Sequence, residues 1–184
     1  ENAELDFHYN VQPVLSKAGC NMGACHASQH GKGGFVLSVF GYDPSQDFSS
    51  IVKDELERRV DYIRPENSLF VLKPTAQVPH GGGKRLKVGS VMYDTLVQWV
   101  RGGAQGPAKD SAEVVDLTAT PGRRVAEVGS TQQLQIRATY ADGTTRDVTA
   151  LAQYDSLDDG LLKVSTAGLV ETLGRGQAGV MVRF

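Results

Sequence analysis

The chain has 184 residues, of which 40% are hydrophobic, and a formal net charge of −2. That length allows one large or two small domains. The near-neutral charge argues against a nucleic-acid partner, which needs a basic face, and no apolar stretch approaches the length of a transmembrane helix.

The chain starts polar at Glu1-Asn2-Ala3-Glu4, with no signal peptide in view. The first predicted element is a helix. Val11, Val14, Leu15 and Ala18 follow i, i+3, i+4, i+7 spacing and define one apolar face. Pro13 fits only near the start of that helix, and Gly19 can end it. Cys20-Asn21-Met22-Gly23-Ala24-Cys25-His26 follows at once and holds the only two cysteines. Glycine-rich loops run from Gly31 to Gly83. Ser90 is a good N-cap for a second helix, whose buried stripe is Tyr93, Leu96, Val97 and Val100. Trp99 reads as core, and Gly102 and Gly103 stop the helix. A loop-rich half of about 105 residues has a thin core by itself.

The composition shifts at Gly102-Gly103-Ala104-Gln105-Gly106-Pro107-Ala108. Domains are therefore expected over residues 1–107 and 113–184, joined by a linker at 108–112. Downstream, Leu134, Ile136, Ala138 and Tyr140 alternate with polar residues, as in a half-buried strand. Asp142-Gly143 supplies a hairpin turn. Val114, Leu117, Leu162, Val164, Leu169, Val170, Val180, Val182 and Phe184 fill further short strands, with turns at Asp158-Asp159-Gly160 and Ala167-Gly168. This spacing predicts a small β-sandwich. Asp155, Asp158 and Asp159 raise calcium, although carboxylates at a turn are more often solvated caps.

The cysteine motif carries the chemistry. Two thiols followed directly by histidine form the pattern of covalent c-type haem attachment, here with four spacer residues instead of two. Each thiol adds across a vinyl group of a rigid ring, so both must come from one short stretch. His26 then reaches the iron as the proximal ligand. The extra spacer residues can bulge outward, since Asn21, Gly23 and Ala24 are small, and Gly23 permits a positive φ. Other readings stay open at this stage: a disulfide, a zinc site from Cys20, Cys25, His26 and His30, or two inert thiols.

The upstream segments resemble a class I cytochrome c frame: Asp6-Phe7 to Leu15, the cysteine motif, and Tyr93-Asp94-Thr95-Leu96-Val97-Gln98-Trp99-Val100-Arg101-Gly102-Gly103-Ala104. More closely, Ala18 to His26, His30-Gly31-Lys32-Gly33-Gly34-Phe35, Ser38 to Pro44 and Pro79-His80-Gly81-Gly82-Gly83 resemble the planctomycete-type cytochrome c domains of large exported proteins. The downstream half is similar to bacterial immunoglobulin-like group 2 domains, through Ala138 to Gly143, Asp147-Val148-Thr149, Tyr154-Asp155-Ser156 and Gly168-Leu169-Val170. The resemblances imply two domains: a mainly α-helical class I-like cytochrome c domain and an all-β immunoglobulin-like sandwich.

The same resemblance implies a monohaem protein with haem c attached through Cys20 and Cys25, His26 on the iron, and a distal ligand in the loop before the last helix. Val78 occupies the place where most such frames carry methionine, which leaves His80 as the expected distal ligand and Met92 as runner-up. Paired imidazoles favour ferric iron more than a histidine–methionine pair does. Lys84, Arg85 and Lys87 are candidates for pairing with haem propionates or steering an acidic partner. The expected function is single-electron transfer with a redox protein partner, in the periplasm or otherwise outside the cytoplasm, without enzymatic activity. The chain is expected to be the N-terminal part of a larger multidomain protein, and a homodimer is compatible with it. Two rival classes remain: a haem sensor or peroxidase-like enzyme with an open distal site, and a non-haem binding or adhesion module stabilised by a disulfide or zinc.

Overall fold

The computed structural model describes residues 5–108 and 111–184. The chain divides into two compact units, Glu1–Ser111 and Ala112–Phe184. Residues 109 and 110 of the expected linker, and the polar start at 1–4, lie outside the described residues. Among the described residues, no helix is long and apolar enough to cross a membrane.

In the first unit, Asp6 opens the chain's first turn by accepting from the Tyr9 amide at 2.8 Å. A single π-turn, Phe7–Val11, leads into α1, Gln12–Lys17. Val11, Val14, Leu15 and Ala18 are all buried, so the periodicity identified the buried face. Gly19 then takes a positive φ of 74° and turns the chain out of the helix. Asp43 caps α2 (Pro44–Val52) by accepting from the Gln46 amide at 2.9 Å. A four-residue helix, α3 (Leu69–Leu72), follows. The longest helix, α4 (Val91–Arg101), begins at Ser90, whose hydroxyl accepts from the Tyr93 amide at 3.4 Å.

Trp99 is core, as its place beside the apolar stripe of α4 suggested. Phe7, Phe48 and Phe70 surround it at centroid distances of 5.5, 6.5 and 6.0 Å, and its indole N–H donates to the Gln105 carbonyl at 2.9 Å. A second buried device sits beside it in the fold. The Asp47 carboxylate is fully buried and accepts from the Ser38 amide, the Ser38 hydroxyl and the Gln12 side-chain amide. This ties α1, α2 and the intervening loop together with every donor satisfied at one group.

The second unit has eight short strands, all paired antiparallel. They are β1 Val114–Thr120, β2 Thr131–Gln133, β3 Gln135–Tyr140, β4 Thr145–Asp147, β5 Gln153–Ser156, β6 Leu162–Val164, β7 Leu169–Thr172 and β8 Val180–Arg183. They form three sheets, ordered β1-β3-β4, β2-β7-β6 and β5-β8. The core draws on Leu134, Ile136, Ala138 and Tyr140, the alternating set read from the sequence, together with Val148, Ala152 and Leu162. The Asp142-Gly143 turn is present, with Gly143 at a φ of 82°.

The expected fold class is corrected on both sides. Helix accounts for 25% of the chain and strand for 20% in three small sheets, which is neither a mainly α-helical cytochrome c domain nor a separate immunoglobulin-like sandwich. The physical reason upstream is interruption. Phe40, Glu55, Leu56, Glu57, Ala76 and Ala104 all sit at positive φ, where L-residues do not continue a right-handed helix. The α-helices therefore stay at six, nine, four and eleven residues, separated by turns. Downstream, alternation reports which face of a strand is buried but not its neighbour. β2 and β3 are separated by Leu134 alone, yet they belong to different sheets. The carboxylates considered for calcium have local partners instead: Asp158 accepts from the Gly160 amide at 3.0 Å, and Asp155 pairs with Arg183.

Candidate functional site

The first unit encloses a cavity of about 360 Å³, within the size range of small-molecule and cofactor sites. Val14, Leu15 and Ala18 contribute one apolar wall, Leu69 and Phe70 another, and Leu86 and Leu96 a third. Cys20, Cys25, His26 and His80 all face it. It is thus the place where the sequence-predicted residues converge.

The cysteine loop is built by its own backbone. The Cys20 amide donates to Leu15 at 2.8 Å, prolonging α1 by one turn of contact. The His26 amide donates back to the Cys20 carbonyl at 3.0 Å, closing the loop between the two thiols. Met22, Gly23 and Ala24 point outward into solvent, so the longer spacer is absorbed as a bulge. Asn21 departs from that expectation. It is fully buried and donates to the Ser16 hydroxyl at 2.7 Å, anchoring the loop to α1. Gly23 is not among the positive-φ glycines.

The imidazole of His26 is oriented by Phe35. Its Nδ1 lies 3.1 Å from the Phe35 carbonyl oxygen, and the two rings are 4.6 Å apart. That carbonyl is held close by Gly31: a Cβ there would lie 2.0 Å from the same oxygen, at a φ of 60°. Gly31 is therefore required for the backbone that positions His26. Opposite, the loop from Lys73 to Leu86 is stapled at its base by the Pro74 carbonyl, which accepts from the Arg85 and Leu86 amides at 2.7 and 2.9 Å. At its tip, His80 Nδ1 lies 2.8 Å from the Gly83 carbonyl.

A carbonyl oxygen only accepts, so each Nδ1 carries the hydrogen. Each Nε2 is left with a free lone pair, the tautomer that a ligating histidine needs. The two rings stand 6.3 Å apart, with planes 13° from parallel. That is too far for stacking contact, and it equals the separation two imidazoles would have if both Nε2 atoms turned to one ion. A first-row ion binds imidazole nitrogen at about 2 Å, and adding roughly 1.1 Å from nitrogen to ring centre on each side gives about 6.2 Å. Burial holds the His26 pKa below its ordinary value, with the nearby His80 ring a smaller push in the same direction. Burial thus disfavours the charged form of the ring, with the backbone hydrogen bond to Phe35 opposing it.

The thiol of Cys20 is pushed up to about 11, chiefly by burial and then by the neighbouring Cys25, while Arg85 pulls it partly back. Both thiols are free and form no disulfide. Among the described residues, no three His, Cys, Asp or Glu side chains are grouped to hold a metal ion. A four-ligand zinc set from Cys20, Cys25, His26 and His30 is therefore not assembled. His30 is exposed and stands apart from the cavity, as do Met92 and His8. His8 instead contacts Gln12 at 3.2 Å.

The residues present fit a haem. Both cysteines and both imidazoles line the cavity, and the rest of its lining is apolar with cations among it. Of the candidates for propionate pairing, Arg85 lines the cavity, whereas Lys84 and Lys87 do not. Sequence reasoning missed Arg59, Phe35, Lys73 and Phe70, which also line it. Phe35 closes the stretch His30 to Phe35 that carries the resemblance, but no motif marks the other three. No protein-family model matches the chain, and no curated protein matches it.

Proposed function

We propose that the chain binds one haem c through Cys20 and Cys25 and acts as a single-electron carrier. The observation that carries this reading is the pair of facing imidazoles, His26 and His80, 6.3 Å apart across a cavity that both thiols line. When bound, the haem iron supplies one-electron exchange between its ferric and ferrous states. His26 and His80 would hold it, each imidazole oriented by its Nδ1–H to a backbone carbonyl. Leu15, Phe70, Leu86 and Leu96 keep water from the ring. With both histidines holding the iron, no open site for a substrate would remain, which favours electron transfer over peroxide or sensing chemistry.

Covalent attachment in bacteria takes place after export, so the reading includes an exported location and a redox protein as electron donor or acceptor. The resemblance of the segment Ala18 to Phe35 to planctomycete-type haem domains supports it at the level of the motif. The test is the visible spectrum of protein made with c-haem maturation machinery, oxidised, reduced and then exposed to carbon monoxide. Sharp reduced α and β bands that carbon monoxide leaves unchanged are expected. Bands that shift would move the assignment to a sensor or peroxidase-like protein. Absence of haem bands would end the haem reading and favour a non-haem binding module.

A further inference from the structure

Arg59 is the buried cation of the cavity wall. It is 6% exposed, whereas Lys32, Arg58, Lys73 and Arg85, which also line the cavity, are exposed and can be hydrated. Among the described residues, the ion pairs are Arg64 with Asp61, Arg101 with Glu66 and Arg183 with Asp155, so no carboxylate partners Arg59. One guanidinium nitrogen donates to the Ser50 carbonyl at 2.8 Å, and the guanidinium carbon lies 4.9 Å from the centroid of the Phe35 ring. These contacts set the plane of the group without neutralising it. A guanidinium has five N–H donors, and a buried charge without a counter-charge is costly. The remaining donors can be served by an anion inside the cavity.

We propose that Arg59 binds a carboxylate of the tetrapyrrole held in this cavity and thereby biases the iron toward the ferrous state. The proposal rests on the haem reading above. Haem carries two propionates, and the planar guanidinium fork matches a carboxylate in bidentate fashion, which a lysine cannot do. Arg59 also sits behind the proximal ligand, since the Phe35 ring it covers is the one packed on His26. A fixed positive charge there disfavours the extra positive charge of ferric iron.

The test compares wild type, Arg59→Met and Arg59→Lys, each made as the full chain with c-haem maturation machinery. The readouts are the one-electron midpoint potential and the propionate bending band in resonance Raman. Arg59→Met keeps the packing on Phe35 and loses the charge. It is expected to lower the reduced-to-oxidised ratio at fixed potential about tenfold, which is 59 mV for one electron, and to shift the propionate band. Arg59→Lys is expected to shift the band while keeping most of the potential. Wild-type potential and an unmoved band in Arg59→Met overturn the proposal and leave the haem reading intact. Should that variant fail to accumulate, an unmoved band in Arg59→Lys overturns it equally. Wild type without haem bands removes the haem reading, and this proposal with it.

Discussion

Gly82 offers the sharpest probe of the distal imidazole. A Cβ at this position would lie 2.9 Å from His80 Cε1 and 3.3 Å from Nε2. Carbon atoms in contact prefer about 3.5–4.0 Å, so Gly82→Ala displaces the ring by roughly 0.6–1.1 Å. Ligating groups must be held within about 0.5 Å of their working position, so the shift exceeds the tolerance. Gly82 is not among the positive-φ residues, which makes alanine acceptable to the backbone and confines the perturbation to this contact. Overpacking of this kind costs about 1–3 kcal/mol. Levied on the iron-bound orientation alone, that cost raises the population with a detached imidazole about 5- to 150-fold. The assay is carbon monoxide binding to the reduced protein, followed in the Soret band, with the melting temperature as control. The expected outcome is carbon monoxide binding where wild type shows little, at an almost unchanged melting temperature. A Gly82→Ala protein with the wild-type spectrum and no added carbon monoxide affinity would refute His80 as the distal ligand.

Three further outcomes follow from the geometry. In haem-free protein, Cys20 with a pKa of about 11 should react with iodoacetamide at pH 8 about 100-fold more slowly than a thiol at the ordinary value of 9.0, because only the thiolate attacks. Peptide mass spectrometry across pH 8 to 10 checks this, and a rate that levels off below pH 9 would contradict the burial argument. Trp99→Phe keeps most of the aromatic cluster but removes the donor to the Gln105 carbonyl; the expected loss from that hydrogen bond is about 0.5–1.5 kcal/mol in urea unfolding. Asp47 supplies the pH dependence. Burial holds its carboxyl above the ordinary 3.8, with the donors at Ser38 and Gln12 opposing the shift. The folded state therefore binds this proton more tightly than the unfolded chain does, and the residue's contribution to stability falls as pH rises from 3.8 through the raised folded value. Asp47→Asn should remove that slope, so the difference in unfolding free energy between the two proteins changes in this window and is flat above it.

What was legible in the sequence was local. The buried face of the first helix, the Ser90 cap, the place of Trp99 and the alternation around Ile136 each follow from a period or a cap within about ten residues. The motif named its own wall of the site for the same reason, since Cys20, Cys25 and His26 are neighbours in the chain. His80 was singled out by the resemblance, as the histidine beside the place where such frames carry methionine, and its ring lies 6.3 Å from that of His26. What was not legible depended on distance along the chain. Arg59 lies in the charged stretch Asp54-Glu55-Leu56-Glu57-Arg58-Arg59, which reads as a solvated loop. Its burial arises only because the Ser50 carbonyl and the Phe35 ring come to it from separate segments. The fold class failed for a related reason. Resemblance in short motifs was carried over to whole domains, while positive-φ residues cut the helices and the pairing of three- and four-residue strands went unspecified.

The correction to the fold leaves the site standing, because the site owes little to long helices. It also says which half of the site can give way. The proximal arm is closed by its own backbone, through the His26 amide to Cys20 and the Leu37 amide to the His26 carbonyl, and its carbonyl brace at Phe35 is fixed by the close approach of Gly31. The distal arm is stapled at its base and bends through Gly81, Gly82 and Gly83, where the Arg85 side chain donates to the Gly82 carbonyl at 2.8 Å and His80 itself holds the Gly83 carbonyl at 2.8 Å. On the proposed haem reading, a covalently attached proximal segment would not leave the ring, whereas release of the His80 imidazole would cost one coordination bond and one neutral hydrogen bond, the latter about 1 kcal/mol. If the protein senses a gas instead of carrying electrons, the open position must therefore appear on the His80 side. Arg85→Ala then becomes decisive. It loosens the distal loop without touching either imidazole, so carbon monoxide binding that rises in this variant while the oxidised spectrum stays six-coordinate would place the balance between carrier and sensor in the stiffness of residues 80–85.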